Sequence, residues 1–259
     1  MTALLDSAAA NFERAVVQLG LTDEPGLVLL LCDDSRYSVF ASLQAKARTG
    51  TIEGGWTLEA AREEDAVAAR KAGGSTIHIC AGRQIRTADG LEVLAVCTDE
   101  ELPDGRCTRE TLDLVHATRG IPVIPWGFGK WVGRRGRIVS ELFDDRSHEV
   151  LLAGDNGGRA EGSPEPRQFR RARLVGMPIL AGSDPLPFPG EERRAGGYGS
   201  HTLGVFDADN ACASVREILQ KPPSKFETFG RLEQPFRFVR NQVRMQIHKY
   251  RGKNRAEES

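Results

Sequence analysis

No stretch of this chain stays apolar long enough to cross a bilayer. The longest such run, Leu27–Cys32, is a few residues where a spanning helix needs about 20. Met1–Leu21 carries Asp6, Glu13 and Arg14 and lacks a basic start followed by an apolar core, which argues against a secretory signal. The five cysteines (Cys32, Cys80, Cys97, Cys107 and Cys212) are odd in number and share no CxxC spacing. Three of them sit in apolar strand-like runs, so buried, reduced thiols in a cytoplasmic protein are expected. Charge of one sign is missing too. The net charge of −1 gives no whole-molecule field that would draw nucleic acid or membrane. His78 falls mid-strand, and His116, His148, His201 and His248 fall in helix, loop or tail contexts without paired spacing, so no multi-histidine metal cluster is expected.

What is present is ordinary for an α/β domain: 259 residues, 40% hydrophobic and 27% charged. Leu4, Leu5, Ala8, Phe12, Val16 and Leu19 recur at helical spacing, predicting a helix over Thr2–Leu19 that Gly20 ends. Gly26–Cys32 is continuously apolar, the pattern of a strand buried on both faces. Further strands are predicted over Thr76–Cys80, Leu91–Cys97, Ile121–Pro125, Val150–Ala153 and Pro178–Ala181, with helices over Val39–Ala47, Leu58–Ala72, Thr108–Thr118, Arg135–Phe143 and Pro166–Val175. The turn Thr87-Ala88-Asp89-Gly90 leaves a hairpin or a short excursion open; otherwise the alternation argues for parallel βα units.

Beyond Pro222-Pro223 the composition turns basic, which divides the chain into a domain over 1–222 and a tail over 223–259. In the tail Phe236, Val239, Val243, Ile247 and Tyr250 mark an amphipathic helix among many Arg and Lys residues. Such a helix either docks on the domain with its charge in water, or offers a surface to an acidic partner, anionic lipid or nucleic-acid phosphate.

Ligands of βα architectures meet the carboxyl ends of strands, where loops converge. Those ends here run into Asp33-Asp34-Ser35-Arg36, Gly82-Arg83-Gln84, Trp126–Trp131, Gly154–Arg159 and Gly182–Pro185. Gly, Asp and Asn serve simply as turn residues in one reading, but Arg83, Trp126 and Lys130 are not needed for turning. In Gly127–Arg137, glycines allow backbone N–H groups to approach an anion at a helix start, and Lys130, Arg134, Arg135 and Arg137 supply countercharge. A structural turn packed over two tryptophans is the other reading. The segment is no Walker A loop, since Trp131 follows Lys130 where Ser or Thr would hold magnesium. Gly190–Gly199 reads either as a mobile stretch whose Tyr198 folds over a ligand or as a solvated loop.

The stretch Gly82-Arg-Gln-Ile-Arg-Thr-Ala-Asp-Gly-Leu-Glu-Val-Leu-Ala resembles the segment of PHP-domain (polymerase and histidinol phosphatase) proteins that runs from a metal-binding Glu into a hairpin. Thr108–Pro125 looks like that family's next helix and strand, and Gly182-Ser183-Asp184 like its closing motif, so the likeness spans about Gly26 to Leu219. It implies an α/β fold, a distorted βα (TIM-like) barrel of the PHP type, and in active members a divalent-metal cluster that hydrolyses phosphate esters. Most of the family's ligands are replaced. Asp33-Asp34-Ser35 stands for His-x-His, Trp56-Thr57-Leu58-Glu59 for the Thr-Asp-His segment, Gln84 for the Glu, Pro125-Trp126 for His-Pro, and Leu186 for the His after Asp184.

A degenerate member is therefore expected, one that binds a small anionic molecule, phosphorylated if the resemblance holds. Lys130, Arg83, Arg134 and Arg193 would neutralise it, Gln84 and Asn156 would bind it, and Trp126 would wall the pocket. Asp184 and Asp155 are the candidate general bases, and Asp33, Asp155 and Asp184 the candidate ligands of one magnesium or manganese ion. Phosphoester hydrolysis follows if the site is catalytic; a non-catalytic binding or scaffold protein is the alternative.

Overall fold

A computed structural model describes residues 1–145, 150–221 and 226–257, with side chains of the last helix as far as 248. His148 and Pro222-Pro223, where the domain boundary is expected, lie outside the described residues. Helix α1 (Thr2–Leu19) buries Leu5, Ala8, Phe12 and Ala15 along one face and stops at Gly20, whose φ of 65° a residue without Cβ adopts readily. Strand β1 (Leu27–Asp34) and helix α2 (Val39–Arg48) follow. Then come β2 (Ile52–Glu53), β3 (Trp56–Ala60), β4 (Ala66–Lys71), β5 (Thr76–Arg86) and β6 (Glu92–Val96). Helices and strands alternate next: α3 (Thr108–Ala117), β7 (Ile121–Pro125), α4 (Gly133–Asp144), β8 (Leu152–Asp155), α5 (Arg167–Leu174) and β9 (Ile179–Ala181). The chain finishes with β10 (Tyr198–His201), α6 (Ala211–Gln220), β11 (Glu227–Gly230) and α7 (Pro235–Glu257).

The expected PHP-type barrel is not what these strands build. They form an open nine-stranded mixed sheet in the order β2 to β9, with β1 laid parallel on β5, and among the described residues no ladder joins β1 to β9. The reason lies in the connections. Those from β2 through β6 are two to five residues long, which suits antiparallel hairpins and is far too short for the crossover of about a dozen residues that a parallel βα repeat needs. The turn at Thr87–Gly90 is accordingly a hairpin between β5 and β6. The predicted helix over Leu58–Ala72 is likewise a hairpin of β3 and β4. Its Ala, Glu and Arg favour helix, but Trp56 and Leu58 alternate onto a buried face, and cross-strand burial outweighs propensity.

Central strand β5 carries β4 and β6 end to end along one edge. They meet at Ala81, whose N–H donates to the Asp65 carbonyl (2.8 Å) and whose carbonyl accepts from the Cys97 N–H (2.9 Å). Side chains alternate between two cores. Leu27, Leu29, Leu31, Ile77 and Ile79 pack with α1 and α2, and Val93, Ala95, Ile124 and Ala153 pack with α3 to α5. The opposite face supplies Leu30, Cys32, Cys80, Leu94, Val96, Val123, Leu152 and Leu180 to a third core closed by Ala211, Cys212 and Leu219 of α6. Residues of β1 and β9 share this core, so the sheet curls although it does not close. β1 is only half-buried along most of its length, not buried on both faces as its composition suggests, because its outer edge is unpaired.

Helix α7 sits the other way round from its expected docking. Arg237 and Asn241 face the body, where Glu191 and Glu233 are buried, while Phe236, Val239, Val243 and Ile247 are exposed.

Candidate functional site

Strands β1, β5, β7, β8 and β9 all run in one direction, with β6 opposed. Their carboxyl ends, and the start of β6, therefore share one rim. There the Lys130 ammonium pairs with Glu92, the first residue of β6, and the Asn156 amide donates to Asp184 Oδ2 at 3.1 Å. Asp184 is an exposed residue, although the surrounding protein desolvates its carboxylate. Burial raises its pKa, and the charge of Glu92 adds to this, against the Asn156 hydrogen bond and the charges of Lys130 and Arg194. Asp184 also has φ at +36°, a conformation uncommon outside glycine that recurs at functional loops. Cys32 lies close by: burial pushes its thiol up to about 12, with the charges of Asp184 and Asp33 contributing.

Of the residues expected in the site, the rim brings together Lys130, Asn156 and Asp184. Gln84, opposite Asp34 and Leu94 in the ladders, lies on the same sheet face as Cys80 by alternation. The others are engaged elsewhere. Asp155 is buried on the helix-covered face, where it accepts from Arg159 Nη2 (2.5 Å), Tyr198 Oη (3.0 Å) and the Gly157 N–H (3.1 Å). That is the pattern of a structural carboxylate, with both oxygens already engaged. Tyr198 is thereby fixed within β10 and is no mobile cover. Asp33, also buried, accepts from the Phe40 N–H at 2.8 Å and so caps α2, whose preceding Ser38 makes no side-chain cap. Arg83 donates twice to the Asp99 carbonyl (2.7 and 3.2 Å). Trp126 packs into the core under α3 to α5. Arg134 is exposed, 3.7 Å from Asp89 in a groove between α3 and α4, and Arg193 is exposed in a short 3-10 turn.

The rim also contains Cys32, Glu92, and Asp34 with its partners Arg36 (2.8 Å) and Arg86; the first strand's end was expected here, but none of these residues was assigned a role from sequence. Arg36 holds the Asp34 carboxyl below the usual range. Glu92 was findable, since a residue opening an antiparallel strand after a tight turn returns to the rim where its partner ended.

Asp33, Asp155 and Asp184 do not fit a single cation site. Among the described residues, the group of three whose ligand atoms lie within 4.8 Å of one another is Glu63, Asp65 and Cys212, well away from that set, and no histidine joins it. Burial, with the charges of Cys212 and Glu63, pushes Asp65 up to about 6.

Fold and site together define an open-sheet α/β protein with a charged rim at the strand ends, where Lys130, Glu92, Asn156 and Asp184 meet. No protein-family model matches the chain, and no curated protein matches it. In the solved structures, the crystal structure of PsfC from Pseudomonas syringae PB-5123 is similar, with a TM-score of 0.55 and 12% identity, over 95% of this chain and 91% of that one. At that identity the likeness shows the fold alone. Among the described residues, no helix is long and apolar enough to cross a membrane.

Proposed function

We propose that the chain binds a small anionic molecule at this rim, with Lys130 as countercharge and Asn156 and Gln84 as neutral donors. The observation that carries the reading is the grouping of Lys130, Asn156 and Asp184 at the carboxyl ends of the strands. An incoming anion would replace Glu92 as the partner of Lys130, exchanging one charge-assisted hydrogen bond for another. The order of motifs shared with PHP proteins supports a phosphorylated ligand and, if turnover occurs, phosphoester hydrolysis. In that case Asp184, with its raised pKa, would take a proton from the attacking water. No step is assigned to a metal, because the expected carboxylates do not converge. A non-catalytic binder is the second reading, and the engagement of Asp155 and Asp33 in structural bonds favours it.

Calorimetric titration of the full chain with inorganic phosphate, phosphate monoesters and uncharged sugars tests the proposal. The expected result is saturable binding of the anions alone, weakened about 10- to 100-fold by Lys130→Ala, since a hydrogen bond to a charged group contributes about 1.5–3 kcal/mol. Binding unaffected by Lys130→Ala would show that the pocket is wrongly placed. Release of phosphate from a monoester panel, abolished by Asp184→Asn, separates enzyme from binder.

A further inference from the structure

The inner core carries a second constellation that the Lys130–Asp184 rim does not use. Four segments distant in sequence meet there: the β3–β4 turn with Glu63 and Asp65, the middle of β5 with Cys80, the end of β6 with Cys97, and the first turn of α6 with Cys212. One ligand atom from each of Glu63, Asp65 and Cys212 lies within 4.8 Å of the others. Cys80 and Cys97, both fully buried, pack in the same core cluster as Cys212.

Simpler roles explain part of this. Glu63 caps α6 by accepting from the Cys212 N–H and, at 3.0 Å, the Ala213 N–H, and Asp65 Oδ2 accepts from Arg216 at 2.9 Å. Neither role accounts for three cysteines converging on these carboxylates. Arg216 is one positive charge beside two carboxylates, and its guanidinium is shared with the carbonyls of Cys97 and Arg119. Each Glu63 oxygen accepts a single backbone N–H, which leaves a second lone pair on each. Sulfur with carboxylate oxygen in a half-buried, four-donor arrangement is the ligand chemistry of zinc, whereas magnesium and calcium prefer oxygen alone.

We propose that Glu63, Asp65 and Cys212 bind a thiophilic divalent cation of the zinc type, with the thiol of Cys80 or Cys97 as fourth ligand. The ion would pin α6 and the β3–β4 turn to the centre of the sheet. It is a closed structural site, separate from the rim, and it holds whether or not the rim binds an anion.

The test uses the full chain, reduced and stripped of metal with a chelator that is then removed. Titration with cobalt(II) should give one equivalent bound and a thiolate-to-cobalt charge-transfer band, and zinc should displace the cobalt and raise the melting temperature. Cys212→Ala should abolish the band. Glu63→Gln, which keeps an acceptor for the α6 cap, should weaken zinc by at least about 100-fold, since removing even an outer partner of a ligand costs 10- to 100-fold. Cys32→Ala, at the end of β1, should bind zinc like the wild type. The proposal is overturned if the reduced wild-type chain shows no saturable binding or no band. It is equally overturned if folded Glu63→Gln binds zinc as tightly as the wild type.

Discussion

Replacing Asp155 by alanine distinguishes a structural carboxylate from a catalytic one. The substitution leaves the Arg159 guanidinium, whose side chain is 10% exposed, without its carboxylate, and strips the acceptor from the Tyr198 hydroxyl and the Gly157 N–H. Removing one partner of a buried ion pair costs about 3–5 kcal/mol, because the other charge stays desolvated and unpaired. At about 2–4 °C per kcal/mol for a chain of this size, the melting temperature should fall by roughly 6–20 °C. Urea unfolding followed by circular dichroism and tryptophan fluorescence, with coincident transitions, gives the free energy directly. Asp155→Asn combined with Arg159→Met removes both charges and should recover most of the loss, since a buried pair exchanged for neutral groups of similar volume is often near neutral. A loss below about 1 kcal/mol in Asp155→Ala would refute the structural assignment. So would a variant of wild-type stability that no longer binds any anion.

Three further outcomes follow from the same geometry. The folded pKa of Asp184 is raised, so its contribution to stability is fully present below the ordinary carboxylate range and is lost as pH rises through the raised value. Asp184→Asn, which also tolerates a positive φ, should therefore melt higher than the wild type near neutral pH and alike in acid; a constant difference across pH would contradict this. With its thiol held at about 12, Cys32 should be alkylated far more slowly than Cys107 at mildly alkaline pH in the native chain, as read by mass spectrometry of the peptides. Equal rates would show that the crowding around Asp184 is overstated. Arg237 Nη2 lies 2.9 Å from Glu191 Oε1, and its Nε lies 3.1 Å from Glu233 Oε1. Arg237→Ala should cost about 1.5–3 kcal/mol and speed tryptic cleavage within α7, an effect that would be absent if the exposed apolar stripe held the helix in place.

Local pattern made much of this architecture legible. α1 and β7 have their predicted bounds, and α2, α3, α4, α5, β6, β8 and β9 are displaced by a residue or two. What failed depended on partners far away in sequence. Leu58–Ala72 reads as helix because the charged turn Arg62–Asp65 looks like the polar face of one, and only its pairing with β5 makes a hairpin of it. The inversion of α7 was equally hidden, since nothing in its spacing says that Glu191 and Glu233 wait on the body for Arg237 and Asn241. Strands β10 and β11 and helix α6 were missed for lack of an extended apolar signature.

The site was half legible, and strand parity explains which half. Along β1 and β5, odd-numbered side chains face the helices and even-numbered ones the inner core; along β8, Leu152 turns inward and Ala153 outward by the same rule. Asp33, Arg83 and Asp155 are odd, and each ended in a structural bond on the covered side or in the loops beyond it. Gln84 is even, as are the rim residues Cys32 and Asp34, whereas Asn156 and Asp184 lie in loops past their strands, where alternation no longer applies. Sequence places a strand end in such a protein but not its parity, because runs apolar on both faces carry no alternation. A single one-residue shift of register would exchange the two sets and turn Asp155 to the opposite face. For that reason the stability of Asp155→Ala and the ligand affinity of Lys130→Ala are complementary: a fold with this parity requires the first to be lost and the second to weaken.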